Sequence, residues 1–144
     1  MTGFADYGLA EGGRWVAEIY GCDFATIENL EVVKEAMTTA VVELGSDPAT
    51  IHSVFHKFEP QGLSGSVMSP VALVTIHTWP EDNASATLDL YFYRSNVNPE
   101  AVIRKLTAAF GAQDTDHYHL WRGARRERNA DGTLKELPHG GQDK

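Results

Sequence analysis

The sequence predicts an α+β fold: a two-layer sandwich in which a largely antiparallel sheet carries two helices on one face. Three observations lead there. Two stretches place apolar residues at steps of three and four, the period of an amphipathic helix, while the segments around them alternate apolar with polar, the period of a strand. Most neighbouring strands are joined by short turns, which suits antiparallel pairing. Finally, Ser85 to Tyr93 sets Leu88, Leu90 and Phe92 on one side and Thr87, Asp89, Tyr91 and Tyr93 on the other. A sheet built of such strands has its core on one face only, and its other face is either polar or covered.

The elements follow in order. Residues 1–13 hold four glycines and little pattern, so they read as a loose leader. Arg14 to Tyr20 alternates around Trp15, Val16, Ile19 and Tyr20 and suits a first strand. Leu30, Val33, Met37, Val41 and Leu44 form one apolar helical stripe, and Gly45 is a natural stop. Asp47-Pro48 breaks the chain, Ile51 to Phe58 reads as a second strand, and Gln61-Gly62 as a turn. Ser64 to Met68 and Val71 to Trp79 read as two more strands. In the latter, Leu73, Thr75, His77 and Trp79 share one face and Val74, Ile76 and Thr78 the other.

Pro80 to Asn83 is turn chemistry before the strand Ser85 to Tyr93. Asn98-Pro99-Glu100 starts the second helix, with Asn98 as cap and Pro99 in the first turn. Val102, Ile103, Leu106, Ala109 and Phe110 form its stripe, Gly111 ends it, and His117 to Trp121 reads as a last strand. The domain therefore spans residues 14–122, with a polar, mobile tail expected over 123–144.

Composition narrows the function. The chain has 144 residues, enough for one core, with 42% hydrophobic and 22% charged residues. A net charge of −8 argues against binding nucleic acid or an acidic membrane, since both need clustered cations. The one basic cluster, Arg122 to Arg128, is short and reads as a solvated segment. Apolar runs of membrane-spanning length and the pattern of a signal peptide are lacking, and Cys22 is alone, so a reducing, cytoplasmic setting is expected. His117 and His119 share a strand face, but only with His52 or His56 would they make a metal site, and none is predicted.

Two blocks carry the chemistry: Phe55-His56-Lys57-Phe58-Glu59-Pro60-Gln61-Gly62-Leu63-Ser64-Gly65, and Thr75-Ile76-His77-Thr78-Trp79-Pro80-Glu81. Their order and spacing resemble the signature of the small bacterial S-adenosylmethionine decarboxylases, over roughly residues 14 to 111. The resemblance implies a pyruvoyl group, made by self-cleavage at a serine, that forms a Schiff base with the substrate amine. It also implies a homodimer with pockets at or near the subunit interface. Ser64 matches the serine that assists processing, and His77 the histidine that drives its elimination step. Phe58 matches an aromatic that stacks on adenine, and Glu81 the acid that holds the ribose hydroxyls. Trp79 would line the pocket beside His77.

The chain departs from the family at three positions. Counted without a gap, the glutamate and serine of the cleavage bond are here Val71 and Ala72, and the proton-donating cysteine falls at Tyr93. An alanine methyl has no oxygen to begin the acyl shift, so no cofactor is expected. Cleavage before Ser69 would displace the carbonyl by about 10 Å along a strand. The resulting expectation is a homologue that binds S-adenosylmethionine or a related nucleoside, as a homodimer or paired with an active paralogue. Two alternatives stand beside it. One is a cofactor-independent lyase breaking a carbon–sulfur bond of S-adenosylmethionine with His77, Tyr93 and Glu81. The other is an ordinary decarboxylase of spermidine biosynthesis, seen as an unprocessed variant.

Overall fold

The computed structural model describes residues 12–93, 97–122, 128–135 and 142–143. Strand β1 (Gly12–Tyr20) leads into a short helix α1 (Phe24–Ile27) and the long helix α2 (Leu30–Glu43). A 3₁₀ turn at Pro48–Thr50 precedes β2 (His52–Lys57), β3 (Leu63–Met68), β4 (Ala72–Trp79) and β5 (Ser85–Phe92). Helix α3 (Pro99–Ala109), β6 (Asp114–Arg122) and the two-residue β7 (Gln142–Asp143) complete the order. The strands form one sheet in the order β2-β3-β4-β5-β1-β6-β7, and every pairing is antiparallel. Helices α2 and α3 touch each other and pack on the sheet, α2 over β2 to β4 and α3 over β1. The predicted α+β two-layer sandwich is the observed fold.

Both long helices start where the sequence supplies a cap. Asn29 Oδ1 accepts from the Val32 amide at 3.3 Å and Asn98 Oδ1 from the Ala101 amide at 3.1 Å. Both stop at a glycine with positive φ, Gly45 just beyond α2 and Gly111 just beyond α3. Val33, Met37 and Val41 of α2 and Val102, Ile103 and Leu106 of α3 face Val67, Val74, Ile76, Leu88, Leu90 and Phe92 of the sheet in one buried core. The four-residue α1 is too short to show a helical period in the sequence. Asp23 caps it, accepting from the amide and the hydroxyl of Thr26.

Two boundaries differ from expectation. Val71 does not begin β4 but sits with Pro70 in a two-residue turn, closed by Ser69 N–H donating to Ala72 O at 2.9 Å. Buried Ser69 fixes that turn, its Oγ accepting from the Val71 and Ala72 amides at 3.0 and 3.2 Å and from Ser46 Oγ at 2.7 Å. The leader prediction falls almost wholly on residues outside those described, although Gly12 and Gly13 already belong to β1. Within the expected tail, Arg128 and Leu134 form a bridge and Gln142 pairs with Leu120; the remainder lies outside the described residues.

Cross-strand register orders the outer face of the sheet into rows. His56, Ser64, His77, Thr87, Glu18 and Asp116 form one; Val54, Ser66, Thr75, Asp89, Val16 and Tyr118 the next; His52, Met68, Leu73, Tyr91, Arg14 and Leu120 the third. Among the described residues no helix covers these rows. Near the edge they expose apolar side chains, Val54 at 72% and Met68 at 50%. On the inner face Phe55 lies over Gly65, so closely that a Cβ there would stand 2.0 Å from the Phe55 ring. Desolvation, together with Asp89 and Asp116, pushes the Glu18 carboxyl above its ordinary range.

Gly65→Ala is therefore expected to lose about 1–3 kcal/mol of stability by overpacking, measured by urea unfolding. In a Phe55→Ala background the same change should cost far less; equal costs in the two backgrounds would mean that the ring is not the obstacle. For Glu18 the sign is that of a raised carboxyl. Its folded form holds the proton more tightly, so stability is fullest below the unfolded pKa and declines as pH rises through the folded one. Glu18→Gln should thus melt higher than wild type at pH 7, and the gap should close in acid, as thermal melts at the two pH values would show.

Candidate functional site

Strands β3 and β4 set Ser64 directly opposite His77, and Ser64 Oγ lies 2.7 Å from His77 Nδ1. With the imidazole proton on Nε2, the hydroxyl donates to Nδ1 and its oxygen becomes more nucleophilic. Both side chains stand on the uncovered face, partly exposed. Two residues beyond His77, Trp79 is 48% exposed on the same face, and Phe58, leaving the end of β2, is 46% exposed. The Phe58 ring meets His56 edge-on, with centroids 4.6 Å apart.

The loop carrying Phe58 is tied at several points. Phe58 N–H donates to Gly62 O at 2.8 Å, closing a turn that needs Gly62 at φ +103°. Leu63 N–H donates to Thr78 Oγ1 at 2.9 Å. Glu28, between α1 and α2, accepts from the Gly62 amide at 3.2 Å and pairs with Lys57 at 2.8 Å. Glu81 lies exposed in the turn after Pro80. That turn holds Asn83 and Ala84 at positive φ and is anchored to the end of β1, its Asn83 and Ala84 carbonyls accepting from the amides of Gly21 and Cys22. Left-handed conformations at residues with a Cβ are strained, and the two backbone bonds hold them.

Val71, Ala72 and Tyr93 lie at the other end of the sheet. Ala72 is fully buried on the helix face, paired with Phe92, and Tyr93 N–H donates to Val71 O at 2.9 Å. Five residue steps along β4 separate Ala72 from His77, about 16 Å. Burial, and then the neighbouring Tyr91, push the Tyr93 phenol above its ordinary pKa. At neutral pH this phenol can give a proton but not take one. Cys22 does not stand in for the absent cysteine: it is buried in the core, and desolvation pushes its thiol up to about 11.

The structure thus gathers Ser64, His77, Trp79, Phe58 and Glu81 near one end of the sheet and Val71, Ala72 and Tyr93 near the other. Ser69 is closer to the Val71–Ala72 bond than its sequence offset implied, because the hairpin folds it back onto those amides. His117 and His119 flank Trp15, the His119 ring stacked on it at 4.7 Å, and four strands separate β6 from the β2 histidines. Among the described residues no three His, Cys, Asp or Glu side chains gather as metal ligands. Sequence reasoning missed Glu28, which no pattern announced. It also missed Arg14, which meets Asp89 on the outer face at 3.5 Å.

Comparison with known proteins places this arrangement in a family. The sequence profile described as S-adenosylmethionine decarboxylase matches residues 13–123. The S-adenosylmethionine decarboxylase proenzyme of Moorella thermoacetica is 38% identical over 114 residues, 79% of this chain and 89% of that protein. The proenzyme of Acetivibrio thermocellus is 36% identical over 118 residues, 82% and 93% of the two chains. The crystal structure of the adenosylmethionine decarboxylase from Aquifex aeolicus superposes with a TM-score of 0.67 at 26% identity, covering 83% of this chain and 96% of that one.

These relatives are bacterial, and no helix among the described residues is long and apolar enough to cross a membrane. They also overturn one expectation. Proteins named proenzymes are precursors of a self-processed enzyme, and the family's cofactor is the pyruvoyl group so made. The expectation of no cofactor conflicts with that property of the family. With a matching profile over 13–123 and relatives aligned over most of their length, the chain belongs to the S-adenosylmethionine decarboxylase family.

Proposed function

We propose that the chain binds S-adenosylmethionine, or a closely related nucleoside, in a pocket completed by a second copy of itself. The observation that carries this reading is the Ser64–His77 pair, set beside the half-exposed Phe58 and Trp79 on a sheet face that no described helix covers. A flat, exposed Phe58 ring suits stacking on a purine, and the Glu81 carboxylate can accept two ribose hydroxyls at once. The Trp79 face and the net charge of −8 favour a cationic sulfonium ligand.

The case for a homodimer is geometric. One end of the sheet carries Ser64, His77 and Phe58, and the other carries Tyr93 and the Val71–Ala72 bond, too far away to touch the same small molecule. A two-fold axis normal to the open face would lay one end of each copy against the opposite end of its partner. Exposed Val54, Met68 and Trp79 give that face the apolar area such packing needs.

The fit to pyruvoyl is poor at the family's own position. Ala72 bears a methyl group that the core encloses, so processing cannot begin there in the family's way. The neighbouring hydroxyl, Ser69, is already engaged by two amides and by Ser46. Carbon–sulfur cleavage is a second reading, favoured by the same Ser64–His77 contact: the imidazole of one copy supplies a base and the Tyr93 phenol of the other, held neutral, an acid. The family itself favours a third, decarboxylation in spermidine synthesis, with pyruvoyl formed at a serine other than residue 72.

Calorimetry with S-adenosylmethionine should show binding that Phe58→Ala weakens by about 1–3 kcal/mol, the worth of a stacked base. Glu81→Gln should weaken it by about 1 kcal/mol or more through lost charge-assisted hydrogen bonds. Binding that neither change disturbs would remove the assignment. Mass spectrometry on the same samples separates the readings. Unchanged ligand marks a binder and methylthioadenosine marks a lyase, whereas a chain cleaved before Ser69 with a keto-blocked new start marks a decarboxylase.

A further inference from the structure

Arg14 lies outside both motif blocks, on β1. Its side chain leaves β1 on the open face, beside a cavity of about 110 Å³ lined by Arg14, Leu73, Thr75, Asp89, Leu90 and Tyr91. Among the described residues, Arg14 Nε is the buried side-chain polar atom that lacks a hydrogen-bond partner. Its ion pair with Asp89 is loose, Nη2 to Oδ1 at 3.5 Å, longer than a good charge-assisted bond. A guanidinium has five N–H donors in a planar fork, and a buried donor left unpaired costs free energy until an acceptor arrives. The fork matches a carboxylate, which can accept two parallel bonds.

The cavity presents both signs of charge. Arg14 offers donors for an anion, and the Asp89 carboxylate, two residues along β5 from Tyr91, can accept from a cation. Thr75, held by Ser66 at 2.8 Å, adds a hydroxyl to the wall. Opposite charges in adjacent positions complement a zwitterion, and a volume of about 110 Å³ suits the head of an amino acid. We infer that this cavity is a subsite for the α-carboxylate and α-ammonium of the ligand, with Arg14 selecting for the carboxylate and Asp89 holding the amine. The inference rests on the nucleoside-binding reading and deepens it.

Its position fits a site shared by two copies. Four strand spacings separate β2 from β1, about 19 Å, which exceeds the reach of one S-adenosylmethionine from base to carboxylate. Arg14 instead shares its row with Leu73 and Tyr91, next to the Val71–Ala72 bond, at the end of the sheet opposite Phe58. The head group would thus lie on one copy and the base on the other. An ion pair made with the carboxylate before reaction resists the loss of that carboxylate. The subsite accordingly suits binding, or carbon–sulfur chemistry, in which the amino-acid head survives.

The test is calorimetry on the full chain with S-adenosylmethionine, its decarboxylated form and methylthioadenosine. Wild type should bind S-adenosylmethionine about 10- to 100-fold more tightly than the decarboxylated form. Arg14→Met should bind those two ligands alike, and Arg14→Lys, which keeps the charge without the fork, should retain part of the preference. Wild type that binds both equally, or Arg14→Met that keeps the preference, overturns the subsite and leaves the nucleoside reading standing. Wild type that binds none of the three overturns both. Should Arg14→Met fail to fold by circular dichroism, the wild-type preference and the Arg14→Lys variant decide.

Discussion

Strict alternation in the central strands governs the molecule. Val74, Ile76 and Thr78 of β4 and Leu88, Leu90 and Phe92 of β5 all turn toward the helices and are buried. Because successive side chains point to opposite faces, every residue between them is forced outward. The outer face is thereby free of the duty of making a core, and it carries Ser64, Ser66, Thr75, Thr87, His77 and Asp89. A slip of one residue in the β3–β4 register would send His77 into the core and separate it from Ser64, so the apolar face fixes the polar contact.

Most of this was legible in the sequence because periodicity is local. The stripe from Leu30 to Leu44, the Asn98-Pro99 start and the two faces of β5 each declare themselves within one element, and the structure places them as read. Ser64 and His77 were also legible, since two motif blocks named them. What escaped depends on contacts between segments distant in sequence. Arg14 and Asp89 lie on strands that pair only through a long connection, and nothing near either residue announces the other. Ser69 was misjudged for a related reason. Counted along a strand it lies well away from residue 72, but the Pro70–Val71 turn reverses the chain and brings its hydroxyl onto the bond in question.

Rigidity and accessibility are divided between the two ends of the sheet. At the Phe58 end the backbone is held tightly while the side chains stay open: Glu28 fixes the Gly62 loop, and the strained Asn83-Ala84 turn is pinned to Gly21 and Cys22. Such support holds the Phe58 ring and the Glu81 carboxylate in place without enclosing them. At the Tyr93 end the polar groups are sunk deeper, and burial shows in the raised phenol of Tyr93 and the unpaired Nε of Arg14.

The orientation of residue 72 bears on why alanine is accommodated there. In the folded, uncleaved chain its side chain points to the helix layer, on the opposite face from Ser64 and His77 of the same copy. A hydroxyl held in that position would need a partner inside an apolar core or would cost free energy, whereas a methyl packs without penalty. The native packing of this chain therefore favours the small apolar residue. The open face keeps its own polar groups either way, because the alternation that buries Ala72 is the same one that exposes His77.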